Sequence, residues 1–305
     1  MSKNTSRRDF LKTSVAAAGV AGLGIAATAG IADTPAPQQA APLPIKKGVL
    51  VDMLPKNLSY ADRFKLARDV GFEALQVNTT PKPGEEIEIK RAAGTAGIRI
   101  DSVMNMDHWK YPLSSADPAV VEKSLQGMRT SMHNASTWGA RYVLLVPAVV
   151  NAQISYRDAW TRSQAQIRKL LPLAEQLKVV IALEEVWNKF LLSPLEFAAY
   201  IDEFGSPWVK AWFDVGNVVL YGYPQDWIRT LGHRIVDMHV KDFKRRDDGY
   251  QWVNLGDGDV DWAEVRKALG EIHYSGTVIT ELDGGDEAYL RDLSGRFDRL
   301  VLGKA

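Results

Sequence analysis

The sequence predicts an α/β protein that folds as a (β/α)8 barrel, or TIM barrel, in a single domain. Short apolar runs alternate with segments of helical length, and eight of each fit between residues 47 and 302. The chain has 305 residues, which leaves room for a barrel of roughly 250 residues once the N-terminal segment is set aside. A doubly wound open sheet is the alternative, but the turn after the first strand lacks the glycine-rich phosphate-binding motif of that fold.

The N-terminal segment is predicted to be an export signal. It carries the run SRRDFLK from Ser6 to Lys12, a twin-arginine signal by type, followed by an apolar stretch rich in Ala and Gly. That stretch is too weakly hydrophobic for a permanent membrane anchor. We therefore expect a cleaved signal peptide over residues 1–32, a disordered linker over residues 33–46 and the barrel over residues 47–305. The twin-arginine export machinery would then be a partner, and the mature protein would be periplasmic.

Apolar runs of strand length define the eight strands. They are expected at residues 47–53, 72–77, 99–104, 141–146, 179–183, 209–213, 234–240 and 277–281. The third strand is followed by the segment NMDHWKYPLSSADP, which is long and rich in polar and aromatic residues. A long loop at the carboxyl end of a barrel strand usually contributes to the active site.

Capping residues mark the helices between these strands. Ser59 caps the first helix, and Asp117-Pro118 and Ser193-Pro194 open two others with proline at the first helical position. Pro172 predicts a kink or a break in the helix that contains it, because proline removes a backbone hydrogen bond. The helices are expected at residues 59–70, 86–96, 119–138, 156–177, 194–204, after 224, 262–272 and 286–302.

Composition excludes several classes of function. The 37 basic and 37 acidic residues become 33 and 36 after loss of residues 1–32, which hold four basic side chains and one acidic side chain. A mildly acidic mature chain offers no basic stripe for nucleic acid. The chain has no cysteine, which excludes disulfides, thiolate nucleophiles and sulfur ligands. Any metal ion must therefore be held by oxygen and nitrogen ligands.

Four strands end in side chains that can bind a metal ion. The fifth strand ends in Glu184 and Glu185, and the sixth, seventh and eighth end in Asp214, His239 and Glu281. Because the carboxyl ends of parallel strands meet at one rim of a barrel, these side chains should converge. Any one of them alone is more simply read as a helix cap, a core histidine or a surface charge. Their joint placement favours a site for a divalent ion such as Mn²⁺ or Mg²⁺.

The segments LEEVWNKFLLSPLEF, WFDVGNVVLYGYPQDWI, HVKDFKR and LGDGDVDW resemble the xylose isomerase-like TIM barrels, which include sugar phosphate isomerases and epimerases. The resemblance implies that Glu184, Asp214, His239 and Glu281 bind one divalent metal, with Mn²⁺ favoured and Mg²⁺, Co²⁺ or Zn²⁺ as alternatives. It further implies that Glu184 and Glu281 face the substrate carbon from opposite sides and move its proton. Glu185 is a competing ligand, but strand alternation lets only one of the two neighbours point inward.

The resemblance also suggests residues that bind the substrate. Asn217 and Arg245 match positions that contact sugar hydroxyl groups, while His108, Asn188 and Trp109 are weaker candidates. The expected activity is isomerisation or epimerisation of a free ketose or keto-sugar by an enediolate mechanism, since an exported enzyme would meet few sugar phosphates. A lyase or hydrolase acting on a 3-keto-glycoside and a catalytically silent sugar-binding barrel are alternatives. An abasic-site endonuclease is disfavoured, because five histidines and an acidic chain suit a three-metal cluster poorly.

Overall fold

The computed structural model describes residues 42–304, which form a closed barrel of eight parallel strands. The barrel strands are β1 (Lys46–Leu50), β2 (Ala74–Asn78), β3 (Arg99–Met104), β4 (Tyr142–Leu145), β5 (Val180–Glu184), β6 (Val209–Asp214), β7 (Ile235–Val240) and β10 (Thr277–Thr280). Each pairs with its neighbour in the chain, and β10 closes the barrel between β7 and β1. The predicted TIM barrel is confirmed.

Helices cover the outside of the barrel between these strands. They are α1 (Tyr60–Asp69), α2 (Pro83–Ala96), α3 (Pro118–Trp138), α4 (Tyr156–Arg168), α5 (Leu171–Leu177), α6 (Pro194–Asp202), α7 (Val215–Val218), α8 (Pro224–Leu231), α9 (Trp262–Glu271) and α10 (Glu287–Phe297). The helix predicted over residues 156–177 is broken, as Pro172 indicated. Pro172 lies in the first turn of α5, where its missing N–H has no helical partner to lose.

Two predicted elements end earlier than expected and continue in a different, helical form. The first strand, expected to run to Met53, stops at Leu50 and continues as the 3-10 turn Val51–Met53. The last helix, expected to run to Leu302, ends at Phe297 and continues as the π-helical turn Asp298–Leu302. Both end segments bury apolar side chains, so the apolar pattern predicts their burial correctly but cannot distinguish one winding from another.

A β-hairpin extends from the end of β7, between the strand predicted to end at residue 240 and the helix predicted to begin at residue 262. Its strands are β8 (Asp242–Arg246) and β9 (Gly249–Val253). Most of its side chains are at least partly exposed, so no buried apolar run marked it as a strand pair. The Asp242 carboxylate fixes its base by accepting hydrogen bonds from the Gly256 and Val260 N–H groups and the Trp262 indole, at 2.8, 3.2 and 2.9 Å.

The predicted signal peptide and most of the predicted linker lie outside the described residues. Within residues 42–304, no helix combines the length and the apolar character needed to cross a membrane.

Candidate metal centre

Four ionisable side chains meet at the carboxyl end of the barrel. Glu184 ends β5, Asp214 ends β6 and His239 lies near the end of β7. Glu281 directly follows β10, the next strand around the barrel. One potential ligand atom from each of the four lies within 4.8 Å of the others. The structure thus brings together the four residues that the sequence placed at successive strand ends.

The donor set fits a divalent cation. Asp214 and His239 are fully buried and Glu184 is 5% exposed, whereas the side chain of Glu281 is 27% exposed. Several carboxylates gathered in a buried site repel one another unless a cation compensates them. Three carboxylates and one imidazole provide hard oxygen ligands and one nitrogen ligand, the set expected for Mn²⁺ or a similar ion. The cluster is open to solvent on the side of Glu281.

A glutamine from across the barrel interior, Gln76, forms a hydrogen bond with the histidine and orients it. The Nε2 atom of His239 lies 2.7 Å from the side-chain oxygen of Gln76 in β2. Because an amide oxygen only accepts hydrogen bonds, Nε2 carries the proton and Nδ1 faces the carboxylates, 3.0 Å from Glu184. In the neutral form of this tautomer, Nδ1 is the ring atom that a metal ion would bind. Sequence reasoning missed Gln76, which lies 163 positions from His239.

Lys241, the residue that directly follows β7, also reaches the cluster. The Nζ atom of Lys241 lies 2.6 Å from the Oδ2 atom of Asp214 and 2.5 Å from the Oε2 atom of Glu281. Sequence reasoning missed this residue too, although a signal was present. Lys241 stands two positions after His239 in the HVKD segment, and the side chains of residues i and i+2 lie on the same face of a strand.

The two glutamates that were predicted to move protons have different electrostatic surroundings. Burial raises the pKa of Glu184, and the neighbouring carboxylates of Glu281 and Asp214 raise it further, while His239 opposes them. Burial also acts to raise the pKa of Glu281, but His239 and Lys241 outweigh it and hold that pKa below its usual value. The carboxyl of Glu184 is therefore biased toward holding a proton, and that of Glu281 toward the ionised form. This asymmetry suits acid–base chemistry.

Glu185 lies beside the cluster and forms hydrogen bonds with Asp214 and Asn217. Its Oε1 atom accepts a hydrogen bond from the backbone N–H of Asp214 at 3.0 Å. Its own backbone oxygen accepts one from the side chain of Asn217 at 3.1 Å. Burial raises the pKa of Glu185 well above the usual value, which favours an uncharged carboxyl. The structure therefore brings Glu184 into the group of four and leaves Glu185 outside it.

The predicted substrate-binding residues are largely occupied by contacts within the chain. Asn188 donates to the Ala148 oxygen at 2.6 Å and accepts from the Phe190 N–H at 3.1 Å. The Arg245 guanidinium donates to the backbone oxygen of Val219.

His108, another predicted substrate-binding residue, is 4% exposed, whereas its neighbour Trp109 is 55% exposed. Burial lowers the pKa of His108 to about 4, so its imidazole is neutral near pH 7.

A cavity of about 510 Å³ opens beside the cluster. Its wall includes Lys241 and Glu281 together with Trp252, Asn254 and Tyr289, none of which the sequence singled out as substrate-binding. Trp252 and Asn254 come from the hairpin region, whose position depends on tertiary contacts. In particular, Trp252 stacks on Trp187 with ring centroids 5.2 Å apart. None of the four predicted substrate-binding residues belongs to this wall.

Comparison with known proteins identifies both parts of the chain. A model of the xylose isomerase-like TIM barrel family matches residues 64–298. A model of the signal sequence for the twin-arginine translocation pathway matches residues 4–24, which confirms the predicted export signal.

Individual relatives are sugar epimerases. L-ribulose-5-phosphate 3-epimerase UlaE of Escherichia coli O1:K1 / APEC is 24% identical over 250 residues, covering 78% of this chain and 87% of the relative. D-psicose 3-epimerase, solved in the presence of D-fructose, matches with a TM-score of 0.71 and 20% identity, over 85% of this chain and 100% of that one. The 3-keto-D-glucoside 4-epimerase YcjR from E. coli matches with a TM-score of 0.70 and 15% identity, over 82% of this chain and 98% of that one.

These names agree with the predicted isomerase class, and the structural matches agree with the barrel. The family model covers most of the described barrel, including every member of the four-residue cluster. The chain belongs to the xylose isomerase-like TIM barrel family.

Proposed function

We propose that this protein is a divalent-metal-dependent epimerase or isomerase that moves a proton at a carbon next to the carbonyl group of a ketose or keto-sugar. The observation that carries the proposal is the group of four convergent side chains, which opens through Glu281 onto a cavity of about 510 Å³. Glu184, Asp214, His239 and Glu281 would hold the metal, with Mn²⁺ favoured. A divalent ion bound there would stabilise the negative charge that develops on the substrate oxygens.

Glu184 and Glu281 would transfer the proton. Glu184 is nearly fully buried and Glu281 is partly exposed toward the cavity, so the two carboxyls approach a bound carbon from different directions. Removal of a proton by one glutamate and return by the other on the opposite face gives epimerisation. Return of the proton to the adjacent carbon gives isomerisation. The opposite shifts in their pKa values support a division between a base and an acid.

An unphosphorylated sugar is the proposed substrate, and the periplasm is the proposed location. The export signal would take the enzyme away from the cytoplasm, where sugar phosphates are concentrated. The cavity wall combines Trp252 and Tyr289 with the polar Asn254 and Asp283, a mixture that suits a neutral sugar.

The test is solvent deuterium exchange. Protein loaded with Mn²⁺ is incubated in D₂O with D-fructose, D-psicose, L-ribulose and a 3-keto-glucoside, and NMR follows the carbon next to the carbonyl. We expect deuterium at that carbon and accumulation of the epimer. Bound metal without exchange in any of these sugars would instead favour a barrel that only binds sugar.

Variants assign the two roles. Glu184→Gln and Glu281→Gln should each abolish net epimerisation, and one of them should still exchange the proton on the face whose glutamate remains. Glu88→Gln, an exposed position on α2, is the matched control. Metal content must be measured in every variant, because each glutamate is also a proposed ligand. Full metal content together with full turnover in both variants would refute the assignment of proton transfer.

A second candidate reaction is cleavage of a 3-keto-glycoside by the same chemistry, with expulsion of a leaving group in place of reprotonation. A neighbouring cavity of about 690 Å³ favours it, because Asp283 and Gly284 line both cavities and a two-ring substrate needs the additional space. The similarity to YcjR gives further support. Detection of a released aglycone by chromatography would favour cleavage, and detection of only the epimer would favour the first proposal.

A further inference from the structure

Lys241 contacts the same carboxylate oxygens that face the metal-binding side of His239. The Oδ2 atom of Asp214 and the Oε2 atom of Glu281 lie 3.9 and 3.5 Å from Nδ1 of His239. These two oxygens also lie 2.6 and 2.5 Å from Nζ of Lys241. The ammonium group and a metal ion would therefore use the same ligand atoms.

The stem of Lys241 is held in place on two sides. A Cβ atom at Gly216 would lie 2.5 Å from Cγ of Lys241 and 3.1 Å from the ring of Trp252, so a glycine is needed for this close approach. The ammonium group lies 5.1 Å from the centroid of the Trp252 ring. The side chain is only 14% exposed, yet it forms part of the wall of the cavity. A short swing of the terminal atoms would carry the charge from the carboxylates into the cavity.

The charge of the cluster explains why the contact of Lys241 with Asp214 and Glu281 is favourable. The cluster gathers three carboxyl groups in a buried site, and repulsion between ionised carboxylates would destabilise the folded site. The Lys241 ammonium compensates part of that charge while no divalent ion is bound. A divalent ion that binds the same oxygens would repel the ammonium at short range.

We propose that Lys241 is an internal counter-cation that the metal ion displaces from Asp214 and Glu281, and that the displaced ammonium then faces the cavity. There it is placed to donate a hydrogen bond to a sugar oxygen. The inference rests on the metal site of the proposed function but not on the sugar chemistry. Its test therefore uses metal binding and lysine accessibility, and it can fail while the deuterium-exchange experiment succeeds.

The first measurement is lysine acetylation by acetic anhydride in the wild-type full chain, mapped by mass spectrometry. We expect Lys241 to be protected in EDTA and to be labelled several-fold faster with Mn²⁺ bound. Lys244, exposed on the hairpin two positions after Asp242, should be labelled equally in both states. Labelling of Lys241 that is unchanged or slower in Mn²⁺ would overturn the proposal.

The second measurement is the affinity for Mn²⁺ alone, by calorimetric titration of Lys241→Met and of the matched control Lys244→Met. Removal of the competing ammonium should tighten Mn²⁺ binding by roughly tenfold or more relative to the control. The metal-free Lys241→Met protein should also unfold at a lower temperature than the metal-free control. Equal or weaker Mn²⁺ affinity in Lys241→Met would contradict displacement. If this variant does not fold, the labelling of the wild-type protein still decides the question.

Discussion

Acid should destabilise this protein through His108, a buried histidine with little hydrogen bonding. The imidazole is 4% exposed, and its Nδ1 atom accepts only a long contact of 3.5 Å from the backbone N–H of Val146. Burial disfavours the charged form and lowers its pKa from 6.5 to about 4. The unfolded chain therefore binds a proton at a higher pH than the folded chain does. The stability that this group contributes is complete above pH 6.5 and is lost as the pH falls toward 4.

The size of the effect follows from the difference between the two pKa values. One pKa unit corresponds to 1.36 kcal/mol, so protonation of the unfolded chain at this position costs about 2 kcal/mol of folding free energy at pH 5 and about 3 kcal/mol at pH 4. Other groups also titrate in this range, but they are common to the wild type and to a variant at this position. The contribution of His108 is therefore the difference between two pH curves.

The assay is urea unfolding at pH 7.5 and pH 5 for the wild type and His108→Gln, with EDTA present so that metal release does not contribute. The glutamine keeps a hydrogen-bond acceptor but does not titrate. We expect the variant to lose about 2 kcal/mol less than the wild type between the two pH values. His133→Gln, at an exposed position of α3, is the control and should follow the wild type. Parallel curves for the wild type and His108→Gln would refute the reasoning.

Three further predictions test the metal centre and the export signal. Gln76→Leu should weaken Mn²⁺ binding about 10- to 100-fold in a titration, because the imidazole ligand loses the acceptor that fixes its tautomer, whereas Gln76→Glu should lose much less. Glu184→Gln should reduce Mn²⁺ affinity far more than Glu185→Gln, and the reverse order would transfer the ligand role. Replacement of Arg7 and Arg8 by lysine should leave the protein in the cytoplasm on cell fractionation, and unchanged export would contradict the twin-arginine route.

The sequence alone determined the barrel and the four-residue cluster, because both depend on local patterns. A short apolar run that stops at Asp214 or His239 specifies a buried strand and the end at which its polar residue lies. In a parallel barrel all strand ends of one kind meet at one rim, so the convergence of the cluster follows from the topology. Strand alternation also limited the inward position to either Glu184 or Glu185.

Only the tertiary structure decided which groups surround the cluster. Gln76 reaches His239 across the barrel, a contact that depends on closure of the sheet and on the relative register of distant strands. The hairpin that brings Trp252 to the cavity is largely exposed, so its strands left no apolar pattern in the sequence, and its position depends on the buried contacts of Asp242. Lys241 contacts the cluster because Gly216 leaves room for its stem. A sequence pattern records the face on which a side chain lies, whereas its partners from distant parts of the chain are set by three-dimensional packing.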